Sequence, residues 1–322
     1  TNKGDKMKNK CISFVIPCYN SELTIRNVVG EVIREVSKQE EYQYEIILVN
    51  DGSRDGTGDV IKQLAEENDN IAAVLFAKNF GQHAALMAGF CKVMGEYVVC
   101  LDDDGQMPIE SIFDLIAELE RGADVAFGRY EDTQQNNFRN FGSFINVKMT
   151  EMLLEKPKDL YMSSFWAGKR FVIDEICKYE SAYPYVGGLL LRTTHNMVSV
   201  PVKHRPRQQG KSGYTFFKLL GLWMNGFTAF SVKPLRFATF CGGISAFVGF
   251  VLAIVMIIRK LVNPSILLGY SSTITVILFV GGMIMMLLGI LGEYIGRIYI
   301  CINKAPQYVT REAVDHRKDE QT

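Results

Sequence analysis

Two long uncharged segments constrain the fold of this chain more than any other feature of its sequence. The first covers residues 237–258 and the second covers residues 261–292. At ~1.5 Å per residue, a helix over the first segment is about 33 Å long, which matches a hydrocarbon core of roughly 30 Å. Asn263 and Pro264 interrupt the apolar pattern and indicate a short turn. The sequence therefore predicts a transmembrane hairpin, with spans at about 237–258 and 268–292. A buried hairpin of a soluble domain is the disfavoured alternative, because buried core helices rarely stay uncharged beyond about 14 residues.

Charge is distributed as unevenly as hydrophobicity. The net charge is zero, from 35 basic and 35 acidic residues, and this balance argues against nucleic acid as a partner. Between Glu180 and Glu293, however, no acidic residue occurs, whereas ten Lys and Arg residues lie there. Removing these ten from the 35 leaves 25 basic residues to balance all 35 acidic ones. The acid-free stretch contains both uncharged segments, and we expect it to face a lipid bilayer and a lipid phosphate.

Basic residues flank the uncharged segments mainly on their outer sides. By the positive-inside rule, both chain ends and the N-terminal domain are predicted to be cytoplasmic, in a membrane protein with two spans. Residues 1–10 lack the apolar stretch of a signal peptide, which agrees with this orientation. The flanking basic residues are Lys233, Arg236, Arg297, Lys304, Arg311, Arg317 and Lys318, against Arg259 and Lys260 in the turn.

The first part of the chain alternates short apolar runs with amphipathic stretches. This pattern predicts an α/β fold with a doubly wound, mostly parallel sheet covered on both faces. In such sheets ligands bind beyond the carboxyl ends of the strands. The expected strands are 12–16, 45–49, 71–76, 97–101 and 124–127, and the expected helices are 23–37, 60–67, 84–94 and 109–120.

The residues that follow the expected strands carry the chemistry. Asp102 and Asp104 follow the fourth strand, and at this edge we prefer a divalent-metal site to a solvated, helix-capping acidic turn. Magnesium binds hard oxygen ligands, commonly one or two carboxylates together with substrate phosphates, so the substrate is expected to be phosphorylated. Asp51 follows the second strand and suits hydrogen bonds from a ribose or base, with capping of its own turn as the alternative. No dinucleotide fingerprint or P-loop occurs.

Three motifs, in this order and spacing, resemble the inverting glycosyltransferase family 2 with its GT-A fold. They are Pro17-Cys18-Tyr19-Asn20, Asn50-Asp51-Gly52-Ser53 and Asp102-x-Asp104-x-Gln106. Together with the hairpin, the chain looks like the polyprenyl-phosphate glycosyltransferases, relatives of dolichyl-phosphate mannose synthase and of the bactoprenol glucosyltransferases. The resemblance implies transfer of one sugar, with inversion, from a nucleotide-sugar to a polyprenyl (undecaprenyl) phosphate. Glucose or N-acetylglucosamine on UDP is expected by resemblance alone.

The resemblance also implies roles for individual residues. The donor nucleotide-sugar would be bound by Pro17, Tyr19, Asn20, Glu22, Asp51 and Asp103. Asp102 and Asp104 would be the catalytic carboxylates, and with Gln106 they would bind Mg²⁺ or Mn²⁺. The acceptor phosphate would be bound by Arg129, Arg139, Arg205, Arg207, Lys211 and Ser212. For the basic loop that holds the last four, a solvated loop or an anchor to anionic lipid is the alternative.

Two positions depart from the family pattern. Met107 precedes Pro108 where the family usually has an acidic residue, so no ligand is assigned there. Ser164 lies where the family often has an aspartate thought to act as base, and a serine hydroxyl cannot serve as one. A polyprenyl monophosphate has a second pKa of about 6 and is largely a dianion near pH 7. We therefore expect catalysis by positioning and electrostatics without a dedicated base.

The remaining expectations concern organisation and rival functions. The glycosyltransferase domain is expected over 11–212, an interfacial helix (alternatively a core helix) over 213–232, and a cytoplasmic tail over 293–322. Glycines in both spans favour close helix packing, hence a homo-oligomer. A processive polysaccharide synthase is disfavoured because Gln-x-x-Arg-Trp and further spans are missing, and a catalytically inactive scaffold is opposed by the intact aspartates. The glycines are Gly242, Gly243, Gly249, Gly281, Gly282 and Gly289.

Overall fold

The computed structural model describes residues 10–130, 157, 159–202, 233–262 and 270–317. These residues form two compact units. The first is an α/β unit that combines the described residues up to 202 with those from 305 onward. The second is a helical unit within Phe216–Lys304.

The α/β unit contains one eight-stranded sheet with the order β7-β5-β6-β4-β1-β2-β3-β8. Its strands are β1 (Lys10–Cys18), β2 (Tyr42–Asn50), β3 (Ile71–Phe76), β4 (Tyr97–Cys100), β5 (Val125–Tyr130), β6 (Trp166–Lys169), β7 (Met197–Val202) and β8 (Thr310–Asp315). Its helices are α1 (Ile25–Val36), α2 (Thr57–Glu67), α3 (Gln82–Phe90), α4 (Ile112–Glu120, preceded by a 3₁₀ turn over Ile109–Ser111), α5 (Arg170–Cys177) and α6 (Val186–Thr193).

The five strands expected from the apolar runs are confirmed, and the sheet of the described residues is mixed, with four of its seven strand pairings parallel and three antiparallel. β3, β2, β1 and β4 pair in parallel, and so do β5 and β7. β6 lies between β4 and β5 and is antiparallel to both, and β8 is antiparallel to β3. The sequence did not reveal β6 to β8 because these strands are short or lie far along the chain from their partners.

Helix α3 packs against β1 and β2. The distance between the helix and the strands is so short that one position of the helix has no room for a side chain. Ala84 to Phe90 are all buried, so this part of the helix has no solvated face. A Cβ added at Gly89 would lie 2.4 Å from Cγ1 of Val15. Glycine at this position therefore permits the close approach, and the approach fixes where the N-terminal residues of α3 lie relative to the ends of the central strands.

The C-terminal residues, expected as a tail over 293–322, include a strand of the sheet. The last helix continues to Ile302, and Ala313 in β8 pairs with Val74 in β3. Arg317, just after β8, donates to Glu45, whose side chain also accepts from Ser13. The side chains of Arg317 and Glu45 are only 6% and 5% exposed. A buried ion pair therefore connects the end of the chain to the second strand.

The helical unit contains α7 (Lys233–Val262) and α8 (Tyr270–Ile302), which contact each other. Both helices are longer than the expected spans and contain most of their residues. Of the described helices, one stretch, Phe279–Ile302, is long and apolar enough to cross a membrane when judged by length and composition. The expected interfacial helix at 213–232 lies outside the described residues.

We predict that Arg317→Ala lowers the free energy of unfolding of the α/β unit by about 3–5 kcal/mol, because the carboxylate of Glu45 would stay buried without its cationic partner. Denaturant unfolding of the detergent-solubilised chain, followed by near-ultraviolet circular dichroism, measures this. Arg311→Ala is the matched control in β8, since Arg311 is exposed, and its effect should stay within about 0.5 kcal/mol. Equal effects of the two substitutions would contradict a structural role for the C-terminal ion pair.

Candidate active site

The loops that follow β1, β2, β3 and β4 meet at one edge of the sheet. Parallel pairing aligns Cys18 with Asn50, and Asn50 with Leu75, at the carboxyl ends of the first three strands. β4 pairs with β1 up to Cys100, which lies beside Val15. The polar residues that follow these strands therefore come together, as the sequence predicts.

Asp51 is a buried carboxylate at the centre of this edge. It accepts hydrogen bonds from the backbone N–H groups of Phe80 (2.7 Å) and Gly81 (2.9 Å), and from Nδ2 of Asn79 (2.9 Å). Burial raises the pKa of Asp51, and the two backbone donors act in the opposite direction. Three acceptor positions are thus used to hold the loop after β3. A carboxylate offers roughly four acceptor positions, so about one acceptor position of Asp51 is left for a nucleotide.

The loop after β1 is held by its neighbours on both sides. The N–H of Tyr19 donates to Oδ2 of Asp103 at 2.8 Å, while the Tyr19 side chain is 48% exposed. Asn20 has a φ of 54°, and its N–H donates to Oγ of Ser53 at 3.0 Å. Glu22 Oε2 accepts from the N–H of Gly56 at 2.9 Å. These predicted donor-site residues therefore shape the loop edge, and the exposed Tyr19 is open to a ligand.

Pro17 occupies a different position from the other predicted donor-site residues. It is buried within β1 and pairs with Val49 of β2. Its place in the strand makes it part of the sheet that carries the loop. A direct contact between Pro17 and a nucleotide stays a prediction.

The three consecutive aspartates form a tight turn after β4. Asp102 accepts from Nε2 of Gln82 at 2.9 Å and from Oγ of Ser164 at 2.7 Å. Burial, opposed by the Ser164 hydrogen bond and reinforced by the charges of Asp104 and Asp103, raises the pKa of Asp102 to about 6. Asp104 Oδ1 accepts from the N–H of Gln106 at 3.1 Å. The structure thus concentrates negative charge at the position where the sequence predicts a cation.

The donor atoms of this turn suit a hard divalent cation. Asp102 and Asp104 supply carboxylate oxygens and Gln106 an amide oxygen, all within five residues. Within the described residues, no three His, Cys, Asp or Glu side chains are grouped so as to hold a metal by themselves. Mg²⁺ is commonly bound by one or two protein carboxylates, and substrate phosphates complete its coordination. The predicted ligand set therefore fits a cation that binds together with a phosphorylated substrate.

The hydrogen bond from Ser164 to Asp102 follows from the antiparallel pairing of β6 with β4. Cys100 pairs with Trp166, so the residues two positions beyond each strand end lie opposite each other. Ser164 is one of these residues and Asp102 is the other. The serine at the expected base position therefore holds a predicted metal ligand.

Most of the predicted acceptor-phosphate residues lie outside the described residues, namely Arg139, Arg205, Arg207, Lys211 and Ser212. Arg129 is described and is exposed near the end of β5. Its neighbour Tyr130 lies close to the acidic turn: burial raises the pKa of Tyr130, and the charges of Asp102, Tyr161 and Asp104 raise it further. The end of β5 therefore belongs to the same edge of the sheet.

A cavity of about 220 Å³ adjoins Asp102, and the sequence did not predict it. Its lining includes Gln82 and His83 from the start of α3 and Tyr185 from the segment before α6. Burial lowers the pKa of His83 to about 4, so the imidazole is neutral near pH 7. Gln82 and His83 follow β3, as the other site residues follow their strands. The same rule, applied to the third strand, would have found them.

Comparisons with known proteins agree with the geometry. Residues 13–177 match the family described as glycosyl transferase family 2, and residues 233–298 match the GtrB C-terminal hairpin. An undecaprenyl-phosphate 4-deoxy-4-formamido-L-arabinose transferase from Proteus mirabilis (strain HI4320) is 33% identical over 311 residues, which are 95% of each chain. The protein of the same name from Enterobacter sp. (strain 638) is 32% identical over 96% of this chain and 97% of its own length.

Solved structures give a weaker likeness. Glucosyl-3-phosphoglycerate synthase from Mycobacterium tuberculosis, in complex with Mn²⁺, uridine-diphosphate-glucose and glycerol 3-phosphate, has a TM-score of 0.48 and 18% identity. The similarity covers 66% of this chain and 75% of that one.

On the sequence matches, the chain belongs to glycosyl transferase family 2 and is a glycosyltransferase. The second family match places it among those members whose catalytic part is followed by a helical hairpin. The resemblance seen in the three motifs is therefore confirmed at the level of the family.

We predict that Gly52→Ala lowers the free energy of unfolding by at least about 1–2 kcal/mol, since Gly52 has a φ of +64° and an added Cβ would lie 2.4 Å from the carbonyl carbon of Lys78. Thermal unfolding of the detergent-solubilised chain tests this. In the control, Gly30→Ala, the new Cβ in α1 meets no atom within 4 Å, and a gain of about 0.5–1 kcal/mol is expected. A neutral Gly52→Ala would mean that the loop contact beside Asp51 is not rigid.

Proposed function

We propose that this chain transfers one sugar from a nucleotide-sugar to a polyprenyl phosphate at the cytoplasmic face of a membrane, with inversion at the anomeric carbon. The observation that carries the proposal is the acidic turn at the carboxyl edge of the sheet, where the half-buried Asp102 lies beside two further carboxylates. Such a cluster is stable when a divalent cation and the diphosphate that it binds neutralise it. The names of the two relatives support an undecaprenyl-phosphate acceptor.

A divalent cation, Mg²⁺ or Mn²⁺, would be held by Asp102, Asp104 and Gln106. When bound, it would supply positive charge for the departing nucleotide diphosphate. The chain's own residues orient this site: Gln82 and Ser164 hold the two oxygens of Asp102. The loop after β1, which Asp103 holds through the N–H of Tyr19, would position the nucleotide.

The acceptor phosphate needs no base in this mechanism. A phosphate monoester has a second pKa of about 6, so near pH 7 its attacking oxygen is already deprotonated. The hydroxyl of Ser164 donates to Asp102 and is committed to holding that carboxylate. The protein would therefore act by placing the phosphate oxygen behind the anomeric carbon, with arginines of the acceptor site, Arg129 among them, offsetting its charge.

Chain connectivity supports the two-span hairpin. β7 precedes the helical unit and β8 follows it, and both strands belong to the same sheet. Because one folded unit lies on one side of a membrane, the segment between the two strands would have to cross an even number of times. Two crossings, by α7 and α8, fit this requirement, and the basic flanks favour a cytoplasmic sheet. Self-association through the glycines of these helices is part of the same proposal.

The donor is proposed to carry glucose or N-acetylglucosamine on UDP. A second candidate sugar is 4-deoxy-4-formamido-L-arabinose, since the relatives are named for its transfer. The deciding experiment incubates the full chain in detergent with Mg²⁺, a short polyprenyl phosphate and one donor at a time from UDP-glucose, UDP-N-acetylglucosamine, UDP-4-deoxy-4-formamido-L-arabinose, UDP-galactose and GDP-mannose. Mass spectrometry detects the polyprenyl-phosphate sugar. The unphosphorylated polyprenol is the control acceptor and should give no product, and transfer to it would contradict a phosphate acceptor.

We predict that Asp104→Ala reduces transfer at least about 100-fold, because a removed metal ligand weakens stabilisation of the leaving diphosphate. The measurement is the initial rate at saturating donor and acceptor. Asp114→Asn, which removes an exposed carboxylate at the start of α4, serves as the control and should keep the parent rate. Equal rates for Asp104→Ala and the parent chain would favour the inactive scaffold over the enzyme.

We predict that Ser164→Ala raises the Mn²⁺ concentration needed for half-maximal rate about tenfold, because Asp102 loses one of its two orienting partners. The pH dependence of the rate at saturating metal should not change, since no base is removed. Calorimetric titration with Mn²⁺ checks the affinity directly. Ser163→Ala is the matched control, as its hydroxyl donates to the backbone oxygen of Phe165. An unchanged metal requirement together with a shifted pH profile would assign Ser164 a role in proton transfer instead.

A further inference from the structure

The cavity beside Asp102 combines an apolar lining with a few polar groups. Leu86, Phe127 and Leu190 contribute apolar surface, while Gln82, His83 and Ser164 contribute polar atoms. Its volume of about 220 Å³ is below the roughly 300–1,000 Å³ that is typical of sites for whole small molecules. The cavity therefore suits one part of a larger ligand whose remainder lies elsewhere on the sheet edge.

His83 is one of two described residues whose side chains carry a buried polar atom without a hydrogen-bond partner in the described part of the chain. Among the described residues, Nδ1 of His83 is shielded from solvent and has no hydrogen-bond partner. The ring is held by an edge-to-face contact with Tyr185, with 5.1 Å between the ring centroids. Buried side-chain nitrogens nearly always have a partner, because an unpaired one costs free energy. An atom of a ligand in the cavity would satisfy Nδ1.

The lining also indicates the chemistry of that ligand. None of the described residues that line the cavity is Lys or Arg, and one of them, Asp102, is acidic. Apart from the cation proposed at Asp102, these lining residues offer no positive charge to a phosphate group, so the interior of the cavity disfavours one. A neutral, hydroxylated ring is a better match, since hydroxyls can pair with Nδ1 of His83 and aliphatic C–H groups can contact the aromatic rings of Trp166 and Tyr185.

We propose that this cavity receives the sugar of the nucleotide-sugar donor, and that Nδ1 of His83 forms a hydrogen bond with an oxygen of that sugar. The inference rests on the proposed function, because it assumes that the diphosphate lies at the adjacent acidic turn. It makes His83 a determinant of sugar recognition. The nucleotide itself lies outside the cavity, so its affinity should not depend on His83.

The test compares nucleotide-sugars with their nucleoside diphosphates. Dissociation constants are measured calorimetrically with Mn²⁺ for UDP-glucose, UDP-N-acetylglucosamine, UDP-4-deoxy-4-formamido-L-arabinose, UDP-galactose and GDP-mannose, and for UDP and GDP. His83→Phe keeps an aromatic ring against Tyr185 but removes both nitrogens. It should weaken binding of the accepted nucleotide-sugar roughly three- to tenfold and leave binding of the matching diphosphate unchanged. His83→Asn places an amide group near the position of Nδ1 and should retain most of the affinity.

Several outcomes would overturn the inference. If His83→Phe binds the nucleotide-sugar as tightly as the parent chain, or weakens sugar and diphosphate equally, the cavity does not hold the sugar. A change confined to the KM for the polyprenyl phosphate would place the acceptor there instead. Thermal unfolding midpoints of both variants within a few degrees of the parent value exclude a folding defect as the cause. Failure of the parent chain to bind any of the five nucleotide-sugars would instead count against the proposed function itself, which distinguishes the two failures.

Discussion

The parallel alignment of β1 with β2 on one side and β4 on the other is the constraint on which the site depends. These three strands end at one edge, so the loops that follow them must share that edge. Cross-loop hydrogen bonds then hold the loops together: Asp51 binds the loop after β3, and Asp103 binds the N–H of Tyr19 in the loop after β1. Two of the acidic side chains at this edge thus hold neighbouring loops in place, and the other two carboxylates of the acidic turn, Asp102 and Asp104, are the ones proposed to bind a cation.

A feature of the structure could be predicted from the sequence when it depends on residues that are neighbours in the chain. The strands β1 to β5 and the positions of Asp51 and Asp102 could be predicted, because apolar runs and the residues after them are local patterns. The hydrogen bond between Ser164 and Asp102 could not be predicted, because it depends on the antiparallel pairing of Cys100 with Trp166, which lies far along the chain. β8 was missed for the same reason. Its residues, Thr310–Asp315, are largely polar and exposed, and they form a strand because they pair with β3.

The role of Asp51 illustrates how a correct position can be predicted while the contacts remain hidden. The motif after the second strand indicated a carboxylate ready to accept hydrogen bonds from a nucleotide. In the structure most of its acceptor capacity is used by Asn79 and by the backbone of Phe80 and Gly81. Its capacity to bind a nucleotide is therefore limited to the remaining lone pair. Positioning of the loop before α3, and hence of Gln82 and His83, is the contribution of Asp51 that the contacts support best.

The hydrogen bond from Ser164 to Asp102 also bears on which acceptors the site can use. An alcohol acceptor has a high pKa and would need a base within reach of its proton. At this position the chain offers a hydroxyl that is itself a donor, and Asp102, as a metal ligand, would have its lone pairs directed to the cation. A phosphate acceptor carries a deprotonated oxygen near pH 7 and avoids the requirement. The exchange of an expected carboxylate for Ser164 is therefore compatible with a polyprenyl phosphate and poorly compatible with a sugar or lipid alcohol.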